Sequence, residues 1–207
     1  MVRSERLSSI RSDAETPDGL SLLDRFAAAL RANAGFCHGP FAPDAAADVA
    51  ARLAAERAAG RPVAVAAGDA LVVGLGIPAR LGQLGARLLL PDDHRWPTEI
   101  ASAGAGVTGA VRGLAATGTV AIACGPRSPR SVSLLPRAHV CLLAATDLTV
   151  DLSAGLASLT ALPSALTWIS GPSRSADLEM KITLGIHGPA SLDVVVIAAG
   201  NSHGTHR

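Results

Sequence analysis

Leu20, Leu23, Phe26, Ala27 and Leu30 recur at helical spacing and predict an amphipathic helix that ends near Gly35. A second stripe, Val49, Leu53 and Ala54, follows Pro43, which suits a first helical turn, and stops at Gly60, which suits a left-handed cap. Between them, Phe36-Cys37-His38-Gly39-Pro40 reads as a turn. From Pro62 the period changes. Short apolar runs over 63–67 and 87–90, separated by a Gly-broken helical patch over 77–84, read as buried strands joined by a helix. Further strands are predicted over 107–114, 117–123, 138–144, 166–170 and 193–198, with a helix from about Leu152 to Leu162. This alternation predicts an α/β fold with a largely parallel sheet flanked by helices. Gly106, Gly109, Gly113 and Gly118 punctuate the middle, which leaves room for antiparallel pairs and a mixed sheet.

The first 19 residues are polar, are closed off by Pro17-Asp18-Gly19 and are expected to be flexible, and 201–207 form a polar tail. The remaining 20–200 are expected to form one α/β domain, since a chain of 207 residues can bury roughly 70% of its unfolded surface around one core. With three Phe, two Trp and no Tyr, that core must be aliphatic. The formal net charge is +1 and no Lys/Arg cluster is interleaved with aromatic residues, so nucleic acid is not an expected partner. Although 49% of residues are hydrophobic, no run approaches the ~20 needed to cross a bilayer. The N-terminus has charges but no apolar segment of the signal-peptide kind, and a cytoplasmic location is expected. Cys37, Cys124 and Cys141 are odd in number and widely spaced, which argues against a disulfide framework and a Cys-only metal site. Three thiols cannot ligate a four-Cys iron–sulfur cluster, so no cofactor and no metal are expected.

Candidate chemistry concentrates near the end of the chain. In ISGPSRSADLE (169–179) an apolar run delivers a Ser-Gly-Pro-Ser turn and then Arg174, Asp177 and Glu179. Charged residues are only 17% of the chain, so this density beside Gly and Pro puts ionisable groups where buried strands end, and open α/β sheets bind ligands at strand ends. A helix starting near Ser175 would have Ser175 as its cap, Asp177 in its first turn and an anion seat at Ser173 to Ala176, with Arg174 gripping a carboxylate or phosphate. The same residues could instead tie down a helix through Arg174–Asp177 and Asp177–Lys181 pairs. His187 lies in a Gly-flanked turn, where its imidazole could act as an acid/base or could merely satisfy a backbone carbonyl. Thr117-Gly118-Thr119 could offer N–H and hydroxyl donors to an anion, or mark a bulge. In 128–140, Arg130, Arg137 and His139 surround an apolar centre that could form a lid but reads better as a solvated crossover loop. Neither a Walker loop, a GxGxxG opening a helix, nor a GxSxG is present.

GVTGAVRGLAATGT (106–119), SLLPRAHV (133–140), ISGPSRSADLE (169–179) and GIHGP (185–189) occur in the order and spacing of the lactate utilization protein C family, also called the LUD domain, and the chain resembles that family over about Val63 to Ala198. The resemblance implies a fold similar to the isomerase, CoA-transferase and formyltetrahydrofolate cyclo-ligase superfamily. It also implies a cytoplasmic role in oxidising L-lactate to pyruvate beside two iron–sulfur partner proteins. Ala116 stands where family members commonly carry an acidic residue, which argues against acid/base work by that loop, and Ser175 replaces the commoner Thr while keeping the hydroxyl.

Three functions follow as expectations. The first is a non-redox accessory component of lactate oxidation binding a small anionic ligand through Thr117, Gly118, Thr119, Ser170, Gly171, Ser173, Arg174, Ser175 and Asp177, with His187 or Glu179 handling protons. The second is a stand-alone transferase or isomerase acting on an acyl or sugar-phosphate substrate. The third is a structural or regulatory partner without a ligand.

Overall fold

The computed structural model describes residues 20–161, 163–176, 182–185 and 187–199. Six parallel strands form the central sheet: β1 (Phe36–Phe41), β2 (Val63–Val65), β3 (Leu88–Leu89), β4 (Ala105–Gly109), β7 (Ala138–Ala144) and β12 (Ser191–Ile197). Their order is β1-β12-β7-β4-β2-β3, every adjacent pair parallel. A second sheet, β8-β5-β6-β9, is built from β5 (Arg112–Leu114), β6 (Thr119–Cys124), β8 (Leu148–Thr149) and β9 (Ala165–Ile169), with β6 antiparallel to both β5 and β9. A separate antiparallel pair joins β10 (Arg174–Ala176) to β11 (Ile182–Leu184). The main helices are α1 (Leu22–Ala32) and α2 (Pro43–Ala58).

Strand alternation divides the core. On β7, Val140 and Leu142 face one way and Cys141 and Leu143 the other. The first face packs on α2, whose buried Ala46, Ala50 and Ala54 let the helix backbone approach the sheet. The opposite face packs Cys141, Leu143, Val194 and Val196 against Phe26 and Leu30 of α1 and Val120 and Ile122 of β6. Period 2 puts His139 on this second face, between the two sheets. Helix α1 begins at Ser21, whose hydroxyl accepts from the Asp24 N–H at 3.1 Å.

Two expectations are corrected. Residues 36–40 are not a turn: they lie within β1, parallel to β12 at the sheet edge. Gly39 has φ 103° and the Gly39–Pro40 peptide is cis, and the register shifts between His38 and Phe41. Edge strands tolerate such an interruption because a proline there forfeits no interior ladder bond. The run 107–114 is not one strand either; it breaks after Gly109 and its halves join different sheets. Predicted strands at 63–67, 87–90, 138–144, 166–170 and 193–198 coincide with β2, β3, β7, β9 and β12 to within two residues at each end.

An ion pair crosses the helix–sheet interface beside β1. Asp193 is fully buried and receives Nε and Nη2 of Arg57, both at 3.0 Å, and stands 3.0 Å from His38 Nε2. Burial works to raise the Asp193 carboxyl, but the hydrogen bonds of His38 and Arg57, with the Arg57 charge, outweigh it and hold the pKa below its ordinary value.

Candidate functional site

The sequence motifs meet at a cavity of about 250 Å³ whose wall includes Ser170, Gly171, Ser173, His187, Gly188 and Pro189. The end of β9 delivers Ser170 and Gly171. Two backbone bonds lock the Ser173 turn to the His187 segment: the Ser173 N–H donates to Pro189 O at 2.8 Å, and the Gly185 N–H donates to Ser173 O at 2.9 Å. Turns separated by over a dozen residues are thereby held face to face. The far wall is made by Ser133 and Leu134, just before β7, and by His139 and Leu192, the second residues of β7 and β12. The cavity therefore sits at the amino ends of these parallel strands, where the second sheet and the His187 segment overhang them.

A line of hydroxyls runs away from the rim. Ser170 Oγ lies 2.8 Å from Thr119 Oγ1, which lies 2.6 Å from Thr117 Oγ1. Asn33, at the end of α1, donates its Nδ2 to the Thr117 carbonyl at 3.1 Å. Gly118 lies against α1: it has φ 61°, and a Cβ there would stand 2.2 Å from the Leu30 backbone nitrogen. Of the Thr117-Gly118-Thr119 loop, the hydroxyls thus reach Ser170, while the Gly118 backbone packs on α1 and none of the three contributes to the cavity wall. Gly171 is similarly close to α1, since its Cβ would lie 2.4 Å from Asn33 O.

Arg174 is exposed and lies outside the cavity wall. The expected helix from Ser175 is corrected: Arg174–Ala176 is extended and pairs with Ile182–Leu184. β-Branched Ile182 and Thr183 favour the pleated conformation over a helix. Asp177 and Glu179 lie outside the described residues. Among the described residues no three His, Cys, Asp or Glu side chains are grouped to hold a metal ion, and no helix is long and apolar enough to cross a membrane.

The loop reading of His139 is corrected: it is the second residue of β7, covered by the second sheet, and its place in the site was not foreseen. The ring is buried, with Nε2 2.8 Å from Thr108 Oγ1, and Nδ1 finds no hydrogen-bond partner among the described residues. Burial pushes its pKa down to about 4, with only a small opposing pull from the Asp193 charge, so the ring is neutral near pH 7. Its signal in the sequence is faint: one imidazole opening an otherwise apolar strand, AHVCLLA. Among the described wall residues, His139 and His187 are the ionisable ones.

A second cavity of about 610 Å³ lies at the carboxyl ends of β2 and β4, walled by Gly68, Asp69, Val111, Cys124, Arg127 and Ser128. Asp69 Oδ1 accepts from the Leu71 and Val72 N–H groups at 3.0 and 3.1 Å. Burial nevertheless raises its pKa, against the lowering effect of these bonds and one from Gly109.

The chain is similar to known proteins along most of its length. A match to the LUD domain spans residues 23–197. Lactate utilization protein C of Halalkalibacterium halodurans is 39% identical over 99 residues, covering 44% of this chain and 43% of that protein. The namesake in Shouchella clausii is 35% identical over 112 residues, 51% and 49% of the two chains, so the aligned stretch takes in under half of these relatives. A protein of the same name in Deinococcus radiodurans is 30% identical over 141 residues, 65% of this chain and 66% of that one. The crystal structure of a DUF162 family protein from Deinococcus radiodurans superposes with a TM-score of 0.56 over 85% of this chain and 96% of that one, at 23% identity, and so shares the fold. With a match that runs from α1 to the last residue of β12, the chain belongs to the LUD domain family.

Proposed function

We propose that this chain is a cytoplasmic accessory component of L-lactate utilization, binding a small anionic ligand in the cavity between the Ser170–Ser173 turn and the His187–Pro189 segment. The carrying observation is that four residues of two sequence motifs, Ser170, Gly171, Ser173 and His187, share one cavity wall. The names of its relatives supply the lactate context. Electrons are carried by two iron–sulfur partner proteins, as the resemblance to the lactate utilization protein C family implies. Ser170 and Ser173 donate hydrogen bonds to the anion, and His187 stands at the exposed rim.

The reading is tested by dye reduction. Oxidising lactate releases two electrons, so the isolated chain is expected to show no lactate-dependent reduction of an acceptor dye, and adding it to the two partners is expected to raise their lactate:acceptor rate. Partners that are fully active without it, or reduction by the chain alone, would contradict the proposal.

A second reading, a transferase or isomerase on an acyl or sugar-phosphate substrate, is favoured by the larger cavity, where the raised Asp69 carboxyl stands at strand carboxyl ends, the usual ligand position of open α/β sheets. Turnover of such a substrate by the isolated chain would select it.

A further inference from the structure

A histidine with one nitrogen engaged and the other free is costly in the interior. An unsatisfied buried polar group destabilises the fold, and His139 is only 1% exposed. Its Nδ1 has no partner among the described residues, while His139 forms part of the wall of the 250 Å³ cavity. Neighbouring parts of that wall, Leu134, Trp168 and Leu192, offer hydrocarbon. Buried hydrogen-bonding groups without protein partners are what ligand sites use to fix orientation.

The chemistry of the missing partner follows from the ring. Neutral imidazole carries one N–H. If the Thr108 hydroxyl donates to Nε2, Nδ1 bears the proton and needs an acceptor; if Nε2 donates to Thr108, Nδ1 needs a donor. An alcohol hydroxyl satisfies Nδ1 in both tautomers, because it donates and accepts. We propose that His139 is the ligand-recognition residue of this cavity, its Nδ1 hydrogen-bonding the hydroxyl of a small hydroxy acid whose carboxylate lies toward Ser170, Ser173 and His187. This rests on the reading of the cavity as an anion site. It adds that an alcohol hydroxyl suits Nδ1 in either tautomer, whereas the carbonyl of an oxo acid, which only accepts, suits it only when Nδ1 bears the proton.

Two substitutions separate the two nitrogens. The side-chain amide of Gln reaches the Nε2 position, so His139→Gln keeps a partner for Thr108 and removes Nδ1; Asn reaches the Nδ1 position, so His139→Asn does the reverse. Imidazole nitrogens of the labelled full chain are followed by long-range 1H–15N spectra during titration with L-lactate, pyruvate and propane-1,2-diol. L-Lactate and the diol are expected to move the His139 Nδ1 resonance; pyruvate binds about ten-fold more weakly, the equivalent of one hydrogen bond, where the spectra show the proton on Nε2, and about as well as L-lactate where they show it on Nδ1. His139→Gln is expected to lose about ten-fold in L-lactate affinity, and His139→Asn to bind more tightly than His139→Gln. L-Lactate moving His187 but not His139, or binding equally to His139→Gln, overturns the inference and leaves the cavity an anion site. The diol moving Nδ1 while L-lactate binds nowhere upholds the hydroxyl contact and overturns the lactate reading. If no probe moves Nδ1, His139 has no recognition role.

Discussion

Replacing Arg57 with Ala is expected to destabilise the protein by about 3 kcal/mol, near the lower end of the cost of removing one partner from a buried ion pair. Asp193 has 0% exposure and loses both guanidinium bonds in the variant, keeping His38 alone. His38 and the partly solvated surroundings of Arg57, itself 39% exposed, keep the cost from the top of the range. For a chain of this length the melting temperature should fall by roughly 6–12 °C. The pH dependence has a definite sign. Arg57 and His38 depress the folded pKa of Asp193, so its contribution is complete above the ordinary carboxylate value of about 3.9 and is lost as pH falls through the lower folded value. Urea denaturation of both proteins should therefore give a large stability gap at pH 7 that narrows below about pH 4. A loss under about 0.5 kcal/mol at pH 7 would mean that the pair is solvated and structurally dispensable.

The second large effect belongs to His139 and runs at milder pH. Burial depresses its pKa from the ordinary 6.5 to about 4, so above pH 6.5 neither folded nor unfolded chain holds the proton. As pH falls below 6.5, the unfolded chain takes up a proton that the folded chain refuses, and stability declines by about 1.4 kcal/mol per pH unit until about pH 4. The total is about 3 kcal/mol. Asp69 and Asp147, whose carboxyls burial raises, act with the opposite sign, so the measurement is the difference between wild type and His139→Gln. The wild type should lose about 3 kcal/mol more than the variant between pH 7 and pH 4, read from urea midpoints. Parallel pH profiles would mean that His139 is protonated in the folded protein, with water or a carboxylate beside it.

The pattern of apolar positions made much of this fold legible. The stripe Leu23, Phe26 and Leu30 marks α1 because one buried face of an amphipathic helix is a local property. The uninterrupted apolar run at 138–144 marks β7 because a parallel strand covered on both faces has no polar side. β1 was hidden because Gly39-Pro40 carries a turn signature, while its strand conformation is imposed by β12 more than 150 residues away. The hairpin of β10 and β11 was hidden for the opposite reason: Ser175 followed by Asp177 is a good local helix start, and cross-strand pairing overrode it. At the site, turn chemistry pointed to Ser170, Ser173 and His187. His139 could not be singled out, because its meaning lies in one occupied and one free nitrogen, a property of packing between two sheets. The Asp193, Arg57 and His38 trio was equally invisible, its members scattered over three separate elements.

The central claim is that the cavity at the amino ends of β7 and β12 is the ligand site. A crystal soaked in L-lactate tests it most directly. Density for the acid is expected between Ser170, Ser173 and His187, with an oxygen within hydrogen-bond distance of His139 Nδ1. Density instead beside Asp69 and Ser128, at the carboxyl ends of β2 and β4, would contradict the assignment and move the site to the opposite ends of the strands.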